Sequence, residues 1–392
     1  MKVDLFIFGT GMYVIGRGGS GFGTILPAII EFNRNNKNIT LNVHVFTTSL
    51  ESETKFHKNL KSLSDCLNPK HIPFELKTYI ASDKKEVAKI INNTKGDVRI
   101  AIISIPDHLH YDYIKLSGEL ACHTLTTKPF VETTKQAKEL NDFFYNANLY
   151  GAVEFHKRYD DSNIIAKDII NRGKIGILSS VMVEYSQKIS IPAEIFKKWT
   201  EKTNIFQYLG VHYVDQISFV TGAKPIKVMA VGTKSKLLSL GINTYDEIIA
   251  NVKWKLGDNH FYAVYRTGWI DNDSSHATSL QKISYYGTEG HLLLDQTNRG
   301  IELLAGNSIE KINPYFSQGH HNTKQGINFR GYGIQSIISF MKDVLDLKNK
   351  EISLDELKNS RSDFSSSICS VAVSEAVNLS LKSNSMWVDI KL

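Results

Sequence analysis

The chain carries only three cysteines in 392 residues, Cys66, Cys122 and Cys369, odd in number and far apart. That excludes a disulfide framework and a cysteine-based zinc site, and it suits a reducing compartment. Long hydrophobic runs are missing too. No apolar stretch approaches bilayer-spanning length, and the first residues lack signal-peptide architecture. Charge of one sign is scarce, with 46 Lys and Arg against 40 Asp and Glu and a formal net charge of +6. With no basic block and no basic–aromatic interleaving, nucleic acid is not an expected partner. The mild positive balance favours anionic small molecules such as nucleotides or sugar phosphates. His108 with His110, and His320 with His321, lack a third ligand at recognisable spacing, so no metal site is expected. What remains is an ordinary globular composition, 42% hydrophobic and 22% charged, long enough for two domains. The expectation is a cytoplasmic protein without a membrane partner.

The most informative stretch is the first fifty residues. Lys2 to Phe8 reads as a buried β-strand running into Gly9-Thr10-Gly11. An apolar segment at helical spacing follows (Ile25, Leu26, Ile29, Ile30, Phe32), then a second strand from Ile39 to Phe46. Strand, Gly-x-Gly, helix and strand, in that order, form a unit that brings backbone N–H groups up to a pyrophosphate. The usual third glycine is Val14 here, and glycines continue at 16, 18, 19, 21 and 23, so the loop is longer than a standard fingerprint. Thr47 and Thr48 end the second strand, where a carboxylate would bind the ribose of NAD. Small hydroxyl residues leave room for the 2′-phosphate of NADP, with Arg17, Lys55 or Lys58 as its partner. NAD or NADP is expected, with a lean to NADP.

The first 130 residues alternate strand-like and helix-like patterns. Val98 to Ile105 is a near-continuous β-branched run, the mark of a parallel strand buried on both faces. It stops at Pro106-Asp107-His108, and His110 to Leu120 resumes a helical period. Beyond residue 150, strand patterns appear at 177–185, 226–231, 247–254, 262–268 and 282–286, with helices at 163–171 and 210–220. Two more helices close the chain, near 334–347 and 365–382. The fold class is therefore α/β. A Rossmann doubly wound parallel sheet spans residues 1–150, and a C-terminal α/β domain with an open, largely antiparallel sheet spans 151–392.

Three segments hold candidate chemistry. In Thr126-Thr127-Lys128-Pro129-Phe130, proline restricts Lys128 to extended geometry at the rim of the nucleotide domain. A lysine there can hydrogen-bond a substrate hydroxyl; a surface lysine before a turn is the plain alternative. Gly210-Val211-His212-Tyr213-Val214-Asp215 opens a helix with His212 and Asp215 on one face. Histidine suits proton transfer near neutral pH, and the acid could orient it; a satisfied helix-start histidine is the alternative. Glu154 to Asp160 packs charge after a short strand, and within it His156 and Arg158 could reach a polar substrate, or simply be solvated.

Together these segments resemble the Gfo/Idh/MocA family of sugar and inositol dehydrogenases. The matches are Gly9-Thr10-Gly11, the Ile105-Pro106-Asp107-His108-Leu109-His110 turn, Thr127-Lys128-Pro129, Gly210 to Asp215, and Tyr286-Gly287-Thr288-Glu289-Gly290. The resemblance implies a nicotinamide cofactor held by Gly9, Thr10, Gly11, Met12, Thr47, Thr48, Ile105, Pro106, His110 and Lys128. It implies that Lys128 orients the substrate hydroxyl and that His212 is the general base or acid. Arg158, His156, Tyr208 and Asp215 would bind the substrate, a sugar, polyol or nucleotide-linked sugar. A homo-oligomer, dimer or tetramer, is implied as well.

Two departures bear on the proton relay: Thr127 stands where the family usually has glutamate, and Tyr208 where an aspartate is common. The alternatives to a dehydrogenase are a nucleotide- and sugar-binding sensor on the same fold and an enzyme that recycles a bound nicotinamide.

Overall fold

The apolar runs of the N-terminal half form six parallel strands. These are β1 (Lys2–Phe8), β2 (Thr40–Thr47), β3 (Glu75–Ile80), β4 (Val98–Ile103), β5 (His123–Thr127) and β6 (Gly151–Glu154). Their order in the sheet is β3-β2-β1-β4-β5-β6. The structure is a computed structural model that describes residues 1–16, 21–81, 83–197, 199–306 and 308–392. β1 and β4 are buried along almost their whole length, as continuous apolar strands between two helical layers should be. The connections are helical: α1 (Met12–Ile15), α2 (Ile25–Asn35), α3 (Leu50–Asp65), α4 (Lys84–Asn92), α5 (His110–Glu119) and α6 (Thr134–Asn146). Ser49 caps α3 by accepting from Ser52 N (3.2 Å), and Asp83 caps α4 by accepting from Lys85 N (3.1 Å).

The long helix after the glycine loop starts at Ile25, as its apolar spacing predicts, and one extra helical turn, α1, follows Gly11, with a break between the two. The glycines explain the break. A Cβ on Gly16 would lie 1.9 Å from Gly21 O, and one on Gly23 would lie 2.6 Å from Gly16 N. Two passes of backbone touch there, so these glycines close the excursion on itself. Arg17, Gly18 and Gly19 lie outside the described residues.

Two compact units make up the chain, each of several segments. The first compact unit is Met1–Phe130, Gln136–Tyr159 and Tyr315–Ser366; the second is Val131–Lys135, Asp160–Pro314 and Ser367–Leu392. The chain returns to the first unit because the helix Tyr332–Asn349 is apolar along one side. It buries Ile334, Ile337, Phe340, Met341 and Val344 in one cluster with Ile25, Leu26 and Ile29 of α2. The hairpin before it, Gln318–Asn322 with Gly326–Arg330, is gripped by α2. Arg34 donates to Ile327 O (2.7 Å) and Gln325 O (3.1 Å), and Glu31 Oε1 accepts from Phe329 N (2.9 Å).

The second unit is built on α7 (Asp161–Asn171), β7 (Leu178–Lys188), α8 (Val211–Thr221), β8 (Lys224–Thr233), β9 (Glu247–Leu256), β10 (Asn259–Asp271), β11 (Ser279–Gly287) and β12 (Gly290–Asp295). The sheet runs β12-β11-β7-β10-β9-β8 and ends on the short strand Val388–Asp389. Only β10 with β7 is parallel; the other pairs are antiparallel. Alternate residues such as Val252, Trp254, Ala263, Tyr265 and Tyr285 face a core shared with Val214, Ile217 and Val220 of α8. The Gly-Thr-x-Gly turn is the β11–β12 hairpin. A Cβ on Gly287 would lie 2.0 Å from Ile175 O, and Thr288 Oγ1 accepts from Ile177 N (3.0 Å). One described helix, Phe364–Lys382, is long and apolar enough to cross a membrane, which the sequence pattern had not suggested. Its Val373, Ala376 and Val377 lie in the same core.

Candidate functional site

In the first unit the C-terminal ends of β2, β1, β4, β5 and β6 stand side by side, and the strand order reverses between β1 and β4. That reversal is where a doubly wound sheet opens a crevice for ligands. Gly9 leaves β1 at φ +100°, its N–H bonded to Phe46 O (3.0 Å); a Cβ there would sit 2.2 Å from Ser104 O. Only glycine fits. Thr10 follows, half-buried. Gly11 precedes α1, and a Cβ on it would meet nothing within 4 Å, so its backbone borders open space. Met12 is exposed beside it.

At the end of β2 the Thr47 hydroxyl is buried and has no hydrogen-bond partner, while Thr48 is exposed. Lys55 and Lys58 are exposed on α3, and Arg17 is outside the described residues. Ile105 and Pro106, half-buried, end the β4 segment. An open approach at Gly11 and an unsatisfied hydroxyl at Thr47 fit a dinucleotide laid along these ends.

Lys128 leaves β5 through a cis bond to Pro129. Burial pushes its ammonium down to about 7, against the pull of the Asp107 and Glu154 carboxylates. Both acids are buried. Asp107 Oδ1 accepts from His108 N (3.1 Å) in the turn after β4. Glu154 closes β6 and is the register partner of Thr127. Its Oε1 accepts from Ser336 Oγ (2.5 Å), and its Oε2 lies 2.9 Å from His156 Nδ1. Tyr13 OH reaches the same Nδ1 at 3.4 Å, and Phe316 and Tyr332 pack on the imidazole. Burial first, and Glu154 second, raise the Tyr13 phenol well above its usual range. His156 is thus part of a buried polar cluster whose centre, Glu154, sequence reasoning did not single out. Its position at the end of a parallel strand was the available signal.

Two of the expected ligands make contacts within the fold. His110 is interior: Nδ1 lies 2.7 Å from Pro129 O and 3.2 Å from Phe130 O, and Nε2 lies 3.0 Å from Ile105 O. Burial lowers its pKa. It staples the β4 turn to the Lys128-Pro129 segment and so positions both. Arg158 donates to Arg361 O (2.8 Å) and Ser366 Oγ (3.4 Å). It braces the returning segment.

The second unit holds the remaining candidates. A π-helical turn, Phe206–Gly210, leads into α8, so Tyr208 and His212 fall one turn apart. His212, in the first turn of α8, and Asp215, three residues on, are both buried. The His212 ring lies 6.1 Å from that of Tyr185. Tyr208 joins an aromatic cluster with Phe196 (5.1 Å), Trp199 (6.0 Å) and Trp269 (5.7 Å), whose indole N–H donates to Gln187 Oε1 (3.1 Å). Beside this, Asp160 caps α7 and pairs with Arg299, and Gln296 ties Tyr213 to Asn163.

Comparison with known proteins follows this division. The family model described as "Oxidoreductase family, NAD-binding Rossmann fold" matches residues 21–155, and "GFO/IDH/MocA C-terminal domain" matches residues 164–293. Among curated relatives, the uncharacterized oxidoreductase YhhX of Escherichia coli (strain K12) is 31% identical over 126 residues, 32% of this chain and 36% of its own length. D-glucoside 3-dehydrogenase of the same organism is 22% identical over 134 residues, 33% of this chain and 38% of its own. The chain thus matches a little over a third of these relatives' length. Scyllo-inositol dehydrogenase from Lactobacillus casei, solved with NAD(H) and scyllo-inositol, superposes with a TM-score of 0.68 at 15% identity, over 100% of this chain and 99% of that one. Myo-inositol 2-dehydrogenase from Lactobacillus plantarum gives a TM-score of 0.66 at 17% identity, over 99% of each. At these identities the likeness is one of fold.

Proposed function

The chain belongs to the Gfo/Idh/MocA oxidoreductase family, and we propose that it is an NAD(P)-dependent dehydrogenase or reductase acting on a CH–OH carbon of a cyclic polyol or sugar. The observation that carries this reading is Lys128, a lysine with a strongly depressed pKa at the strand end beside an open Gly-x-Gly turn. Perturbed titration at a ligand crevice is what proton-handling residues need. Gly9, Thr10, Gly11, Met12, Thr47, Thr48, Ile105 and Pro106 would hold the dinucleotide, which supplies hydride transfer at its nicotinamide ring when bound. Lys128 donates a hydrogen bond to the substrate oxygen and orients it. His212 removes the hydroxyl proton in oxidation or returns it in reduction, with Asp215 on the same helical turn. Tyr208 and His156 offer polar and aromatic contacts to a ring substrate.

The lean to NADP rests on the absence of a carboxylate at the end of β2, where Thr47 and Thr48 stand. An inositol or glucoside is the natural first substrate class, given what the relatives are named for. The three free thiols support a cytoplasmic protein, and exposed Met182, Tyr262, Tyr286 and Leu293 on the mixed sheet support assembly as a homo-oligomer.

The test is a fluorescence titration with NADH and with NADPH, followed by a screen of inositols and glucosides at the preferred cofactor. Saturable binding and turnover that K128M abolishes bear the reading out. Binding without turnover on any polyol moves the weight to a sensor. Binding of neither nucleotide by folded protein refutes the cofactor site.

A further inference from the structure

A buried ammonium needs an anchored counter-charge, because desolvation otherwise drives it neutral. Residue 127, next to Lys128, is a threonine whose hydroxyl is spent on Ile103 O (3.2 Å). Directly across the β5–β6 pair from Thr127 stands Glu154. Its two oxygens are fixed from different elements, one by Ser336 on the helix Tyr332–Asn349 and the other by His156 in the turn after β6. We infer that Glu154 is the positioning residue of Lys128: a carboxylate delivered from the neighbouring strand that keeps the lysine protonated and able to donate to substrate.

Asp107, in the turn after β4, acts on Lys128 in the same direction and more strongly than Glu154. Lys157, three residues beyond Glu154, is buried as well. His110 of α5 is spent on backbone carbonyls of the Lys128-Pro129 segment and of Ile105. Tyr13 of α1 and His156 both act on the Glu154 carboxylate. Glu154 is braced by Ser336 and by His156, so its place is set by the rest of the fold. The pull of both carboxylates on Lys128 agrees with this arrangement.

The inference rests on the dehydrogenase reading for its kinetic consequence, but its first readout needs neither cofactor nor turnover. The pH midpoint of Lys128 is measured by site-resolved acetylation with acetic anhydride, read by peptide mass spectrometry. E154Q keeps an acceptor for Ser336 and removes the charge; the midpoint should fall by about 0.5–1 pH unit. The lysine-dependent limb of the kcat/KM profile should move by the same amount. T127E/E154Q, which returns a carboxylate to the other strand of the pair, should restore both. A merely structural Glu154 would lower the melting temperature and leave the midpoint where it was, and that result overturns the inference. If E154Q does not fold, S336A, which loosens the carboxylate and keeps its charge, decides instead: a midpoint shifted from that of the wild type supports the inference, and an unchanged one overturns it. Binding of neither NADH nor NADPH by folded protein would refute the dehydrogenase reading while leaving the acetylation result to stand by itself.

Discussion

Replacing Lys128 by methionine should stabilise the protein at low pH and not at high pH. The lysine titrates at about 7 in the native state against 10.5 ordinarily. At about 1.4 kcal/mol per pH unit, that difference corresponds to about 5 kcal/mol if fully realised. Lys128 is half-buried rather than sealed, so screening reduces the figure to about 2 kcal/mol. Below pH 7 native and unfolded chains both bind the proton, and the native state bears the whole cost of a desolvated charge. Between pH 7 and 10.5 the unfolded state binds more protons than the native state, so stability rises with pH and the cost fades. K128M removes the cost and should melt roughly 3–6 °C higher than wild type at pH 6. The gain should shrink steadily toward pH 10. Paired thermal melts across that range measure it, and taking the difference cancels every group shared by the two proteins. A gain independent of pH, or a loss at pH 6, would refute the argument that burial dominates this lysine.

Other expectations are equally direct. G9A forces a Cβ to within 2.2 Å of Ser104 O at φ +100°; it should lose about 2–3 kcal/mol of stability in denaturant melts and all NADH binding. H212N should lower kcat by roughly 10²–10⁴-fold while leaving the NADH dissociation constant within about twofold, as a proton-transfer residue requires. T48D, exposed at the end of β2, should weaken NADPH binding about tenfold or more relative to NADH, since a carboxylate repels the 2′-phosphate. R299A removes an ion pair of buried Asp160 and should cost about 1–3 kcal/mol by chemical denaturation.

The parallel sheet was legible because β1 and β4 are continuous apolar runs ended by Gly9 and Pro106. β3 was not, because ELKTYI is an edge strand with mixed charge and half-exposed side chains. The antiparallel strands β7 to β11 could be read from their alternation, with ends off by a few residues. Gly-x-Gly and Lys128-Pro129 are local words and could be read directly. Glu154 could not, since its relation to Lys128 exists only through the β5–β6 register. His110 and Arg158 were legible as polar residues near the site, but a ring between two carbonyls and a guanidinium on a distant backbone oxygen are tertiary facts. The loop glycines had the same limit: which of them meets a phosphate and which meets another strand of backbone depends on how the excursion closes.

The return of residues 315–366 to the first unit also orders events during synthesis. When β6 leaves the ribosome, all six strands of the nucleotide unit exist, yet the surface of α2 that takes Ile334, Ile337 and Met341 is still bare. Some 180 further residues must be made before the helix Tyr332–Asn349 can cover it. The nascent chain must therefore carry an unfinished apolar face through the making of the entire mixed sheet, an exposure that chaperones are suited to shield. The same return sets the rule for recombination. A chimera joined at residue 150 would separate α2 from its cover and β6 with Glu154 from its partner strand β5, whereas one that carries residues 151–159 and 315–366 along with the N-terminal part would exchange the unit intact.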